Sequence, residues 1–403
     1  MASNCPNCKV GNVTAFFESA PAPVNSVVLV KDRKSALEFR TAPLRLGVCG
    51  NCAFIHNMDF SADAVSYDLG YESTQAYSPT FRKFQHSVVH RLFDQYGLKG
   101  AHAIEVGCAQ GEFLELLRLS GVGSAIGYDP AFDATRPAFQ VSEKFQVVPE
   151  YFGAGKSVRS SDFLACLMTI EHVFETGEFM NSIVEAIDPD GNPLVYIQAP
   201  NAEKVLTDGA FWDIYYEHCS YFTAPSLTRL MRQSGLCVLD VRTEYDDQYL
   251  SVDARLEMSG AEQVDDSASV AAVLKQVDAF RLRTEEVLSG WRDFIARASE
   301  LNEKVVLWGG GSKAVAFLTA LNNPANIEHA VDINPVKTGT FLPSSGVEVV
   351  SPDALSAIAP QHVIVMNPIY SDEIAASLAE LGLAPRLHPI TASRADLFGL
   401  VKA

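Results

Sequence analysis

Basic residues are scarce in this chain of 403 residues: 31 lysines and arginines stand against 49 aspartates and glutamates, a formal net charge of −18. A surface of that sign repels phosphate backbones, so we expect no nucleic-acid partner. No apolar run reaches the roughly 18 residues that a membrane-spanning helix needs, so we expect no membrane partner. The first residues also lack the basic flank and apolar stretch of a secretory leader, which predicts a cytoplasmic location.

The composition gives no sign of disorder or low complexity. Hydrophobic residues make up 48% of the chain and charged residues 20%, which is typical of a globular protein. At roughly 150 residues per domain, the length predicts two to three domains, each large enough for a core.

The eight cysteines are unevenly placed, with two Cys-x-x-Cys pairs and four single residues. A reducing cytoplasm disfavours disulfides, whereas two such turns suit a tetrahedral thiolate site. We therefore predict a structural Zn²⁺ held by Cys5, Cys8, Cys49 and Cys52. Four ligands close the coordination sphere, so this zinc would take no part in chemistry. Two redox motifs, or unrelated buried thiols, are the alternatives.

The order of the elements predicts an α/β fold. From residue 101 onward, short apolar runs alternate with helical patterns, as in a doubly wound parallel sheet. The predicted strands are 103–106, 124–129, 163–168 and 194–198, with a helix at 112–119. These strands are preceded by a β-like stretch at 26–30 and by a helical segment within 61–100. They are followed by a polar linker at 259–269 and a helix at 270–300. A second unit of strand, glycine loop and helix then begins with the strand at 305–308.

The first glycine loop follows a predicted strand and opens a helix, with Gly107 and Gly111 at its ends. Glycines let the backbone approach a ligand, and the helix N-terminus favours a carboxylate or phosphate. Asp129 ends the next predicted strand, where an acid binds ribose hydroxyls. The spacing is not the dinucleotide pattern Gly-x-Gly-x-x-Gly. A purely structural turn is the alternative.

This loop resembles the S-adenosylmethionine loop of class I methyltransferases. The resemblance implies that the loop faces the methionine end of the cofactor. The residues it assigns to S-adenosylmethionine are Glu105, Gly107, Cys108, Gly111 and Asp129.

Two histidines follow apolar strands of the same predicted sheet. His172 comes after the strand at 163–168, and His218 lies in the aromatic stretch Tyr215–Phe222. Ligands bind at the carboxyl ends of parallel strands, so both are candidates for a site. Imidazole titrates near neutrality and can take a proton from a carbon acid. A structural role for each histidine is the alternative.

Taken together, these features resemble the three-part methyltransferases that include the sugar C-methyltransferases of deoxysugar biosynthesis. The resemblance implies an N-terminal zinc domain, a doubly wound Rossmann-like class I methyltransferase core and a C-terminal Rossmann-like domain. The expected boundaries are 1–60 for the zinc domain, 61–258 for the core, 259–302 for the linker and helix, and 303–403 for the C-terminal domain. The site residues it implies are Tyr215, Glu217, His218 and His172, with Tyr77 as the better match for a further tyrosine and Tyr71 as the second choice.

The implied substrate is a small molecule, a nucleotide-linked 4-keto deoxysugar. Its ketone acidifies the adjacent carbon, His218 removes the proton, and tyrosine and histidine donors stabilise the enolate oxygen. The enolate carbon then attacks the methyl group of the sulfonium. Other readings are methyl transfer to oxygen or nitrogen, and a scaffold that keeps the cofactor fold without turnover.

A second glycine loop, Gly309–Lys313, follows the strand at 305–308, and Asp332 lies beyond it. It lacks the spacing of a phosphate-binding P-loop. Its backbone amides would cradle a diphosphate, or the domain is only a scaffold. An NAD-dependent oxidoreductase built on this loop is a further alternative.

Overall fold

The structure is a computed structural model that describes residues 4–67, 70–135, 141–153, 162–187, 192–256 and 265–399. Of the predicted linker at 259–269, the part before residue 265 lies outside the described residues. No helix among the described segments combines the length and the apolar character needed to cross a bilayer.

The N-terminal part consists of short strands around the cysteine turns. Its elements are β1 (Val13–Glu18), β2 (Ala22–Pro23), α1 (Arg33–Leu37), β3 (Thr41–Ala42), β4 (Arg45–Cys49) and β5 (Ile55–Asn57). β2 and β3 form an antiparallel pair of their own.

The central part is a doubly wound α/β unit. Its elements are α2 (Pro79–Tyr96), β6 (His102–Val106), α3 (Glu112–Ser120), β7 (Ser124–Tyr128), β8 (Phe145–Val148), β9 (Phe163–Leu167), α4 (Thr176–Ala186), β10 (Leu194–Pro200), α5 (Ala202–Asp208), β11 (Ser220–Tyr221), α6 (Ala224–Gln233), β12 (Leu236–Glu244) and β13 (Tyr249–Leu256). The seven-stranded sheet has the order β12-β13-β10-β9-β6-β7-β8, in which β13 pairs antiparallel with both of its neighbours, β12 and β10, and all other pairs are parallel. Helices cover the strands, as the sequence predicts for the core.

The C-terminal part repeats the α/β plan on a smaller scale. Its elements are α7 (Ser267–Glu300), β14 (Val305–Trp308), α8 (Ser312–Ala320), β15 (Ile327–Val331), β16 (Glu348–Val350), α9 (Leu355–Ile358), β17 (His362–Val365), α10 (Ser371–Glu380), β18 (Arg386–Pro389) and α11 (Arg394–Leu397). All five strands are parallel, in the order β16-β15-β14-β17-β18. Every residue of β14 and β17 is buried, as expected for central strands covered on both faces.

The three parts are held together by shared packing. The long helix α7 contacts α5 of the central part, α11 of the C-terminal part and β1 of the N-terminal part. One continuous apolar cluster joins residues of all three, with the buried Phe280 of α7 in edge contact with Phe16 and Phe17. This packing places both glycine loops beside the same space.

One predicted element is wrong. Residues 26–30 form no strand but make two isolated bridges, Val28 with Tyr71 and Val30 with Phe341. The backbone N–H of Ser26 instead donates to the Glu217 carboxylate at 2.7 Å. The apolar residues of this segment are therefore explained by contacts with the other two parts of the chain rather than by a sheet.

Candidate active site

A cavity of about 620 Å³ lies where the three parts meet. Its wall includes the first glycine loop, the turn after β9, the segment before β11 and the second glycine loop. Both glycine loops and the turn after β9 follow the carboxyl ends of parallel strands, where α/β proteins bind ligands.

The first glycine loop has backbone angles that favour glycine at both ends. Gly107 and Gly111 have φ of 74° and 87°. A Cβ on Gly107 would lie 2.0 Å from Thr169 Oγ1, so no other side chain fits without moving the neighbouring turn. The loop is therefore built to bring backbone, rather than side chains, to the cavity wall.

Two acids beside this loop, Glu105 in β6 and Asp129 after β7, lie in the cavity wall, and no cation of the described residues pairs with either. Asp129 accepts hydrogen bonds from the N–H groups of Ala109 and Ala131, each at 2.8 Å, and burial raises its pKa. Glu105 is 3% exposed, and burial together with the charges of Glu112 and Asp129 raises its pKa well above the usual range. Among the described residues, its Oε2 has no hydrogen-bond partner. A positively charged ligand in this part of the cavity would therefore be stabilised by two buried carboxyl groups. Cys108 is buried in the same wall.

The two predicted histidines meet at the centre of the cavity. The rings of His172 and His218 are perpendicular with centroids 4.7 Å apart, and Tyr215 meets His218 in the same way at 4.7 Å. Burial lowers the pKa of His172 to about 4. Burial, with smaller effects of His172 and Lys313, lowers the pKa of His218 well below its usual value. Both rings are therefore neutral at pH 7, the state in which an imidazole accepts a proton.

Glu217 does not line the cavity. Its carboxylate is fully buried and accepts hydrogen bonds from the N–H and the Oγ of Ser26, at 2.7 and 2.5 Å. Burial raises its pKa to about 7, against the lowering effect of these bonds. Its backbone oxygen lies 3.2 Å from His172 Nδ1. Glu217 thus ties the histidine segment to residue 26 instead of reaching toward a substrate.

Tyrosines form one side of the histidine cluster. Tyr67 Oη lies 2.9 Å from His172 Nδ1, and the Tyr67 and Tyr71 rings are in edge contact with each other and with His172. Tyr77 lines the same cavity at its open side, where it is 43% exposed. Of the two tyrosines considered from the sequence, Tyr71 is therefore the one in contact with the histidines.

The strand β11 links the histidine segment to the N-terminal part. Ser220 and Tyr221 pair with His56 and Ile55, which completes a four-stranded sheet in the order β1-β4-β5-β11. His218 lies two residues before this pairing. The N-terminal sheet therefore fixes the position of a candidate catalytic side chain.

The four predicted zinc ligands come together at the far side of this sheet. Their sulfur atoms lie within 4.8 Å of one another, and all four cysteines are buried. The closest pairs, Cys5 with Cys52 and Cys8 with Cys49, are 3.8 and 3.7 Å apart. A disulfide would need about 2 Å. A tetrahedron with Zn–S bonds of about 2.3 Å has edges of about 3.8 Å, so the arrangement fits zinc.

The second glycine loop faces the cavity from the opposite side. The Gly310 N–H donates to Asp332 Oδ2 at 3.1 Å, and Lys337 Nζ lies 3.2 Å from the same oxygen. Lys313, at the start of α8, forms an ion pair with Asp213. Asp213 in turn accepts a hydrogen bond from Tyr215 Oη at 2.9 Å. The C-terminal part thus contributes two lysines to the cavity wall.

Three residues of the cavity were missed or left open by the sequence reasoning. Tyr67 and Glu171 gave no signal beyond their position in an aromatic-rich loop and beside His172. Lys313 looked equally like a solvated residue at a helix start. Only the packing of distant segments shows that all three face the same space.

Comparisons with known proteins agree with this architecture. Residues 79–241 match the family model described as a methyltransferase domain. Residues 257–384 match the model described as a C-methyltransferase C-terminal domain. The chain is therefore an S-adenosylmethionine-dependent methyltransferase with a class I, Rossmann-like core. It joins that core to a C-methyltransferase C-terminal domain, which confirms the resemblance seen in the sequence.

The individual proteins that the chain resembles have low sequence identity to it. C-methyltransferase NovU of Streptomyces niveus is 26% identical over 293 residues, or 68% of this chain and 68% of NovU. A methyltransferase structure from Aquifex aeolicus has 14% identity and a TM-score of 0.36, covering 45% of this chain and 95% of its own. The 1,6-didemethyltoxoflavin-N1-methyltransferase of Burkholderia thailandensis has 15% identity and a TM-score of 0.35, covering 44% and 81%.

Proposed function

We propose that the protein methylates a carbon atom next to a ketone in a small metabolite, with a nucleotide-linked deoxysugar as the preferred substrate class. The observation that carries this proposal is the position of His218, which lines the cavity between the rings of His172 and Tyr215 and has no hydrogen-bond partner among the described residues. An imidazole with an unused ring nitrogen beside a bound ketone is placed to remove a proton from the adjacent carbon.

We assign S-adenosylmethionine to the wall formed by the first glycine loop, where it supplies an electrophilic methyl group. Its sulfonium and ammonium groups are positively charged, which matches the buried carboxyl groups of Glu105 and Asp129, neither of which has a cation as partner among the described residues. Gly107 packs so closely against Thr169 that any side chain at position 107 would clash, so the loop presents its backbone at this point of the wall. Cys108 lines this wall, and Gly111 shapes the loop behind it through its φ of 87°.

The chain's own residues provide the remaining chemistry. His218 takes the proton, and the hydroxyl group of Tyr67, which lies 2.9 Å from His172 Nδ1, can donate to a developing oxyanion. Tyr215 donates its hydroxyl to Asp213 and packs its ring against His218, so it positions the base. His172 is held by the Glu217 carbonyl and by Tyr67, so it supports the geometry of the site. Such preorganised donors stabilise an enolate more than water does, because they need no reorientation. Tyr77 is assigned to the entrance of the site.

The preference for a nucleotide-linked substrate rests on the C-terminal wall. Lys313 and Lys337 line the cavity beside the second glycine loop, each in an ion pair with an aspartate. The N–H groups of Gly309 and Gly310 already donate to the Val331 carbonyl and to Asp332, so the two lysines would supply the contacts to a diphosphate. A sugar bridging the two loops would lie over the histidines.

Deuterium exchange tests the base directly. The chain is incubated in D₂O with a thymidine-diphosphate-4-keto-6-deoxyhexose and S-adenosylhomocysteine, and the sugar is examined by mass spectrometry and NMR. Wild-type protein is expected to exchange a proton next to the ketone. His218→Asn should slow this by about 10²- to 10⁴-fold. His86→Asn, a change on the exposed side of α2, is the control. Exchange at an unchanged rate in His218→Asn would exclude His218 as the base.

The bond formed separates the remaining alternatives. With S-adenosylmethionine carrying a ¹³C methyl group, a carbon–carbon coupling in the product supports C-methylation. A methyl signal on oxygen or nitrogen would contradict it and leave only the general class.

We further propose a structural zinc at Cys5, Cys8, Cys49 and Cys52. The observation behind this is the 3.7–3.8 Å spacing of the sulfur pairs. Elemental analysis of the purified chain should give one zinc, and Cys49→Ser should lose it together with much of its stability, because such sites contribute folding energy. Cys237→Ser, an exposed cysteine, is the control. Far less than one zinc per wild-type chain would contradict the proposal.

A further inference from the structure

A second group of metal-type ligands lies inside the cavity. Glu171, His172 and His218 each offer one ligand atom, and these atoms lie within 4.8 Å of one another. Glu171 and His172 belong to the single 3₁₀ turn Ile170–His172 after β9, whereas His218 comes from the segment before β11. Two unrelated segments therefore converge on one point.

Glu171 has an unused oxygen at this point. The residue is 1% exposed, and its Oε2 has no hydrogen-bond partner among the residues that the structure describes. A carboxylate oxygen that is removed from water without a partner is costly. A cation between the three side chains would remove that cost.

His172 is oriented as a ligand histidine is. Its Nδ1 lies 3.2 Å from the Glu217 carbonyl oxygen and 2.9 Å from Tyr67 Oη. Histidines that bind metals commonly donate one ring N–H to a carbonyl, which leaves the other nitrogen for the ion. His218 has no hydrogen bond within the described part of the chain, so its ring is free to be the third ligand.

We propose that Glu171, His172 and His218 bind a divalent transition-metal cation, such as Ni²⁺ or Zn²⁺, which competes with substrate deprotonation. Two imidazoles and a carboxylate suit these ions, whereas Mg²⁺ and Ca²⁺ prefer sites built of oxygen. Three ligands leave coordination positions open toward the cavity. The site differs from the cysteine cluster in having no sulfur.

The cation and the substrate proton compete because both need the lone pair on the same ring nitrogen of His218. The nitrogen that accepts a proton from a substrate cannot do so while it holds a cation. Inhibition therefore rests on the proposed function, whereas binding of the cation does not.

Calorimetric titration with NiCl₂ tests the binding. The chain is purified without a histidine tag, with its tightly held metal left in place. We expect one Ni²⁺ per chain for wild type. We expect at least about tenfold weaker binding for Glu171→Gln, since even changes to residues that only hold a metal ligand in place commonly cost about ten- to a hundredfold in affinity. Glu178→Gln, an exposed carboxylate seven residues away, should bind as wild type does.

Two results would overturn the site: no Ni²⁺ binding below millimolar concentrations in wild type, or binding that survives both Glu171→Gln and His172→Asn. Titration of each variant with S-adenosylhomocysteine shows whether its fold is intact, so a loss of nickel binding by a folded variant supports the proposal.

Activity gives a separate readout. In the methyl-transfer assay, Ni²⁺ should inhibit wild type reversibly on addition of a chelator, and Glu171→Gln should need at least about tenfold more Ni²⁺. Nickel that binds without inhibiting would overturn the competition. If no ketone substrate is turned over at all, the proposed function fails while the calorimetry still decides the cation site.

Discussion

The two glycine loops of this protein have the same plan but differ in the charge around their acids. Each follows a buried strand and has an acid at the end of the next strand, and each acid accepts a hydrogen bond from the loop backbone, Asp129 from Ala109 and Asp332 from Gly310. Asp332 also has a lysine within 3.2 Å, whereas no described cation pairs with Asp129. The first loop therefore lacks a positive charge that the second already contains.

This difference separates the roles of two similar folds. A loop that needs a cation suits a sulfonium cofactor, and a loop whose acid is already paired, with lysines beside it, suits an anion. The glycine pattern alone cannot distinguish them, because Lys337 lies five residues beyond Asp332, outside the loop. The following predictions test the contrast, from the largest expected effect to the smallest.

The largest effect is expected for Gly107→Ala. Its φ of 74° strains any other residue, and the new Cβ would lie 2.0 Å from Thr169 Oγ1, so the loop must move. We expect the affinity for S-adenosylmethionine to fall by more than about 10³-fold, or about 4 kcal/mol. Gly310→Ala in the second loop, whose Cβ would meet Val349 at 3.1 Å, should change this affinity by less than about twofold. If calorimetry showed the same loss of S-adenosylmethionine affinity for both variants, the two loops would not differ in the way that we propose.

A smaller effect is expected when the two acids are neutralised. Asp129→Asn removes a charge that we assign to the cofactor, and a charged hydrogen bond contributes about 1.5–3 kcal/mol. The dissociation constant of S-adenosylmethionine should therefore rise about ten- to a hundredfold. Asp332→Asn is the matched control, since Asp332 has the same place in the other domain. Weaker cofactor binding by Asp332→Asn would show that the assignment of the two loops is incomplete.

The smallest effect is expected for Lys337→Met. It leaves the cofactor loop untouched but deprives Asp332 of its cation in a site where both side chains are only 11–12% exposed. Urea unfolding should show a loss of about 1–3 kcal/mol, with cofactor affinity unchanged. Lys83→Met, an exposed lysine on α2, should have no measurable effect on stability. An unchanged unfolding free energy in Lys337→Met would mean that the ion pair contributes nothing.

Local pattern predicted much of the architecture. The strands β6, β7, β9 and β10 begin and end within two residues of the predicted runs, and the four cysteines meet as expected. These features depend on neighbours along the chain, such as apolar periodicity and turn residues.

Contacts between distant segments were not predictable in this way. The carboxylate of Glu217 bonds to Ser26, and Tyr67 reaches His172, across more than a hundred residues in each case. The apolar residues at 26–30 look like a strand, because a segment buried between domains has the same composition as one in a sheet. Which residue a side chain contacts across such a distance depends on the whole fold, so the residues next to it in the sequence do not predict it.

The two-residue strand β11 has a consequence for how the protein is made. Its partner β5 is synthesised first, and its edge stays open until residues 220 and 221 have left the ribosome. An exposed strand edge is a site for wrong pairing. The N-terminal sheet therefore closes late, and the act of closing it also places His218. In a newly made chain, the two Cys-x-x-Cys turns would thus be complete before His218 is in place for catalysis.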